Sequence, residues 1–171
     1  MPTIRKEILR VGKHTYLDEA GQPKVLDATP EMIRYWHDQG KAMLTAGLSI
    51  PVPLEHNANA RPMTAQEKAA NRLLNNAGWV EDFEIAKVKD EKGQEFDAVF
   101  GMHNIPDPAL AKKLPHTIKW VSPWISSFVD GAGRAWSGVI THSALTTRPR
   151  ISNQTPFPDM GAALSLAAKA K

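Results

Sequence analysis

The 171-residue chain is long enough to bury one hydrophobic core, and its 42% apolar and 23% charged content is that of a folded soluble domain, which excludes wholesale disorder. It has no cysteine for a disulfide, a thiol nucleophile or a zinc thiolate, and neither an apolar run near the ~18 residues of a membrane span nor an apolar leader after Met1, so membrane insertion and export are not expected. The net charge of +3 gathers beyond residue 134, where Arg148, Arg150, Lys169 and Lys171 face only Asp159; the body is neutral, which argues against a broad nucleic-acid face.

In chain order, Ile8 to Leu17 reads as a strand ending in the turn-like cluster Asp18-Glu19-Ala20-Gly21. Thr29-Pro30 supplies an N-cap and an N1 proline. Met32, Ile33, Trp36, Met43 and Leu44 then recur at helical spacing until Gly47, which predicts an amphipathic helix of about 16 residues. Leu48 to Leu54 alternates apolar residues with Pro51 and Pro53, the pattern of an edge strand, and delivers Glu55-His56-Asn57. Residues 58–63 are a polar loop, and Thr64-Ala65-Gln66-Glu67 is a capping box opening a short helix that ends near Asn76. Two hairpins follow. Trp79–Lys89 and Gln94–Met102 flank Asp90-Glu91-Lys92-Gly93, and Lys119–Val129 and Ala135–Thr146 flank Asp130 to Arg134. Between them Asp107 to Leu114 reads as a short helix. Strands outnumber helices, so the expected class is α+β: a mainly antiparallel, barrel-like β core with a few surrounding helices. From residue 152 the composition turns polar and then small, so residues 1–151 read as the folded domain and 152–171 as a flexible tail.

Without cysteine, a covalent nucleophile must be an oxygen or an amine, and a serine hydroxyl needs an adjacent base, most often imidazole. Six histidines and many serines make composition uninformative, so context must choose. His56 follows a proline-flanked strand, a position from which a side chain can project into a cleft; local context alone favours a loop histidine exposed to water. Ser122 lies in Lys119-Trp120-Val121-Ser122-Pro123-Trp124-Ile125, where it is either a packed hydroxyl or a nucleophile in a water-poor groove, with Ser126 and Ser127 close by. His142 falls on the partner strand, so pairing across the turn can bring it near Ser122.

Trp120 to Ile125, the glycine-rich turn, and Gly138 to Ile151 with its Ala144-Leu145-Thr146 and Pro149 resemble the serine motif and closing motif of Mu-like phage head-maturation (prohead) proteases. Val52 to Asn57 and Ala77-Gly78-Trp79-Val80 resemble that family's histidine motif and the strand after it. The matches run in the family's order over residues 50–151. His142-Ser143-Ala144-Leu145 with Arg148 and Arg150 is more distantly similar to the second-histidine segment of the herpesvirus assembly proteases, which use a Ser-His-His triad and an assemblin-type barrel fold. The resemblance implies a serine endopeptidase, a peptide hydrolase with no cofactor, in which Ser122 attacks, His56 is the base and His142 orients His56. It also implies oxyanion stabilisation by backbone amides near Arg148 or Arg150, although Pro149 between them has no N–H. Other prohead proteases use a carboxylate as third member, which keeps Asp82 and Glu84 as alternatives. The implied substrates are scaffold protein, the major capsid precursor and the protease itself, cut during capsid maturation in the bacteriophage procapsid within the host cytoplasm. The tail is then a self-cleavage region or a link to a scaffold, and self-association is compatible with the pattern.

Two other classes compete. One is a non-catalytic phage structural or scaffold-linked module of the same fold. The other is a metal hydrolase using His103, Asp107 and His116, a trio without helical i, i+4 spacing or any recognised ligand pattern.

Overall fold

A computed structural model describes residues 3–17, 20–54, 64–66, 75–149, 151 and 154–158. Strand β1 (Thr3–Arg10) is followed by β2 (Gly12–Leu17) and β3 (Pro23–Ala28), helix α1 (Pro30–Thr45) and the three-residue β4 (Pro51–Pro53). The long strands β5 (Asn76–Lys89) and β6 (Glu95–Asn104) come next, then α2 (Pro108–Thr117) and the last two strands, β7 (Trp120–Val129) and β8 (Ala135–Thr146). The two long hairpins, β5–β6 and β7–β8, and helices α1 and α2 fall where turn chemistry and apolar spacing put them; the loop expected at 58–63 and most of the helix expected from Thr64 lie outside the described residues, and Asn76 opens β5. The N-terminal strand differs. Gly12, at φ 148°, breaks it, and the chain returns as β3 in a separate two-stranded ribbon with β2.

The largest sheet has the order β1-β6-β5-β4, all antiparallel, with the proline-bearing β4 at its edge as expected for a strand that lacks donors. The mainly antiparallel β character is thus as read, but the barrel is not. Among the described residues the strands form three sheets, and none closes. The reason lies at the two seams between the large sheet and the β7–β8 hairpin. On one side, among the described residues, the end of β4 reaches β8 by one parallel bridge, Leu54 to Leu145. On the other, β1 and β7 lie side by side, but the link between them runs through side chains: Lys6 Nζ of β1 donates to Gln154 Oε1 (2.8 Å), and Gln154 bonds the main chain of Val121 in β7.

Helix α1 lies against β5, β6 and β8. Thr29 caps it by accepting from Met32 N, and Ile33, Trp36, Gly40 and Met43 form its buried stripe, spaced three and four apart. Trp36 Nε1 donates to Gly138 O of β8 at 3.1 Å, tying the helix to the hairpin as well as to the sheet. Asp107 caps α2 through Ala109 N and Leu110 N. The chain turns from α2 into β7 at Lys119, whose φ of 74° is a left-handed conformation costing a non-glycine residue of order 1 kcal/mol. The packed body extends past residue 151. Ile151, Gln154 and Phe157 are all buried, so residues 154–158 form a strap on the core rather than the start of a tail.

Candidate functional site

The β7–β8 register sets the geometry of the candidate site. Ser122 opposes Ala144 and Trp124 opposes His142, so Ser122 and His142 are diagonal neighbours on one face of the hairpin. Both are buried at 6% exposure, in contrast to a solvated cross-strand histidine. Trp124 stacks on the His142 ring at 5.6 Å between centroids and 12° between planes, which fixes the plane of the imidazole. Val121, Ser143 and Leu145 occupy the opposite face and join the core. Just beyond this pair the ladder shifts register between Trp124 and Ile125, and Thr141 fills the irregularity, donating from Oγ1 to Trp124 O at 3.1 Å. Bulges of this kind re-aim side chains and occur often beside functional sites.

His56 and Arg150 lie outside the described residues. Leu54, two positions before His56, forms the parallel bridge to Leu145, which itself pairs with Val121 next to Ser122. A cleft of 400 Å³ opens where β4 ends, lined by Leu54, Asn75, Gly78, Trp79, Asp107 and Leu110 among others, with Trp79 44% exposed at its wall. A larger groove of 590 Å³ lies elsewhere, around Arg10, Lys13, His14, Lys89 and Lys92, and neither Ser122 nor His142 lines the cleft or the groove.

The remaining candidates are placed differently. Arg148 is exposed, and its backbone N–H donates to Thr146 Oγ1 at 3.0 Å, so that amide is already committed within a turn. Asp82 and Glu84 stand on β5 in surface ion pairs, Asp82 with Lys41 of α1 at 3.4 Å and Glu84 with Arg5 of β1. Among the described residues neither carboxylate bonds Ser122 or His142. The metal trio is not assembled: Asp107 is a helix cap, His116 sits in the last turn of α2, and His103 is bonded inside the core. Among the described residues no group of three metal-ligating side chains converges.

One pair escaped the sequence reading. His103 Nδ1 hydrogen-bonds Gly101 O at 2.9 Å, which makes that nitrogen the donor and leaves Nε2 to accept from Ser143 Oγ, also at 2.9 Å. The arrangement is that of an activated serine with an oriented base. It is also sealed. His103 and Ser143 have no solvent exposure, and Phe157 lies edge-on to the imidazole at 6.2 Å. Burial pushes the His103 pKa down to about 4, with nearby Lys6 adding to the effect, so the ring is neutral at pH 7. Lys6, buried by the same strap, is itself lowered to about 7 by desolvation, against the raising influence of Glu7. No substrate carbonyl can reach Ser143, and the pair reads as a core fastener between β6 and β8. Its members stand 40 positions apart on strands of different sheets, and nothing local marks them as partners.

Compared with known proteins, the chain matches no family model, no curated protein and no solved structure.

Proposed function

We propose that the chain is a serine endopeptidase of the phage head-maturation kind, with Ser122 as nucleophile, His56 as general base and His142 as the residue that orients His56. The observation that carries this reading is the buried diagonal pair of Ser122 and His142, flanked by the strand whose next residues are Glu55 and His56. The role of His56 rests on the ordered motifs, in which it follows the strand that ends at Leu54. The ordered motifs supply the rest of the reading, including its substrates.

In the reaction His56 takes the Ser122 proton as Oγ attacks the peptide carbonyl, and returns it to the leaving amine as the C–N bond breaks. Water, deprotonated by the same imidazole, then hydrolyses the acyl ester and restores the serine. A third member needs to touch only the base, so the diagonal spacing of His142 from Ser122 suits its role. The Trp124 stack holds that imidazole in plane. A neutral histidine stabilises an imidazolium less than a carboxylate does, which gives a slow enzyme, adequate for one round of cleavage in a closed shell. Scaffold protein, the capsid precursor and the chain itself are the proposed substrates.

An organophosphorus fluoride probe tests the nucleophile without knowledge of the substrate. One adduct is expected, mapped by peptide mass spectrometry to Ser122, lost in Ser122→Ala and strongly slowed in His56→Ala. An adduct on another serine, or none, contradicts the assignment.

A further inference from the structure

We infer that Gln154 is a positioning residue for Ser122, acting through the main chain of Val121; the inference rests on the nucleophile reading above. Gln154 is only 5% exposed and uses all four hydrogen-bonding positions of its carboxamide. Oε1 accepts from Val121 N (3.1 Å) and Lys6 Nζ (2.8 Å), while Nε2 donates to Val121 O (2.9 Å) and Ile151 O (3.1 Å). Swapping oxygen and nitrogen would set donor against donor at Lys6 and at Val121, so the network itself fixes the orientation.

The two bonds to Val121 imitate a strand. Alternate residues of β7 direct their polar groups toward β8, and those of Val121 face the other edge, where β1 offers no ladder. Gln154 fills that edge with one side chain, and Phe157 N continues the pattern two residues back by donating to Lys119 O at 3.0 Å. The Val121 carbonyl belongs to the same planar peptide unit as Ser122 N. Holding that oxygen therefore sets the plane from which Ser122 departs. Beyond Ser122 the ladder to β8 soon shifts register, so the clamp at Val121 is the regular support on the nucleophile's N-terminal side. The strap thereby couples the chain after residue 150 to the reactive hydroxyl.

The test uses the full chain with three substitutions. Gln154→Met keeps length and volume and loses all four bonds. Gln154→Glu keeps the acceptor for Lys6 and Val121 N but loses both donors. Thr155→Ala loosens the same strap at its bond to Glu7 Oε1 (3.1 Å) without touching Val121. The readouts are the rate of organophosphorus labelling at Ser122 at saturating probe, the probe concentration giving half that rate, and amide exchange at Val121 and Ser122. Both Gln154 variants should label about 10- to 100-fold more slowly at unchanged probe affinity, with faster exchange at Val121. Thr155→Ala should stay within about twofold of wild type. A Gln154→Met protein that labels at the wild-type rate, or a Thr155→Ala protein slowed as much as Gln154→Met, overturns the inference. If the wild type takes no label, the nucleophile reading fails and the inference falls with it; label on the wild type with no loss in Gln154→Met sinks only the inference.

Discussion

Two buried serines that local chemistry would treat alike differ in their surroundings: Ser143 is fully enclosed and Ser122 is 6% exposed. Ser143 hydrogen-bonds a histidine, yet that base is locked neutral in the core, whereas Ser122 shares its face of the hairpin with His142. The cost of burying His103 appears in the pH dependence of stability. Its pKa is about 4 in the folded protein and about 6.5 in the unfolded chain, so between those values the unfolded state binds more protons. Stability from this group is complete above pH 6.5 and is lost as the pH falls toward 4, by up to about 3 kcal/mol. Urea unfolding of wild type and His103→Gln at pH 7 and pH 4.5 checks this: the stability difference between the proteins should shift in favour of the variant at the lower pH. A difference that does not change with pH would mean that His103 protonates as easily in the folded protein as outside it.

At the scale of elements, the long hairpins and α1 were legible because one segment carried the whole signal: a turn cluster between alternating residues, or Thr29-Pro30 before a three-and-four apolar stripe. β3 was not, since Pro23, Lys24, Val25 and Asp27 are exposed and show no alternation to read. The strap was missed for a different reason. Gln154 and Thr155 look like linker residues, and only contacts with Lys6, Glu7 and Val121, distant in sequence, bury Gln154 and pin Thr155 at the surface. The candidate site was half legible: the hairpin pairing that sets Ser122 near His142 followed from the turn, whereas the Trp124 stack and the Gln154 clamp required the packed molecule. Gly40 shows packing overriding propensity. Alanine there should favour the helix by up to about 1 kcal/mol. Its Cβ would stand 2.6 Å from Phe83 Cε2, however, so α1 or β5 must move, at about 1–3 kcal/mol for an overpacked core. Gly40→Ala should therefore unfold at lower denaturant than wild type, and a gain in stability would show that the helix-to-sheet contact yields freely.

For the whole molecule, the organising feature is a β framework joined at two seams by few bonds. The Leu54–Leu145 bridge makes one seam and leads directly to His56; the Lys6–Gln154–Val121 chain makes the other and leads directly to Ser122. Ser122 thus stands in the regular stretch of the β7–β8 ladder, one residue from the seam at Val121, and among the described residues the barrel expected from the motifs is replaced by this open arrangement. The central claim, that the chain cleaves peptides through Ser122, is tested most directly by intact-mass spectra of wild type and Ser122→Ala, each co-expressed with its capsid precursor. The account predicts a trimmed precursor and a shortened protease in the wild type, and both at full length in the variant. Trimming that persists in Ser122→Ala, or identical full-length spectra from both, would contradict it.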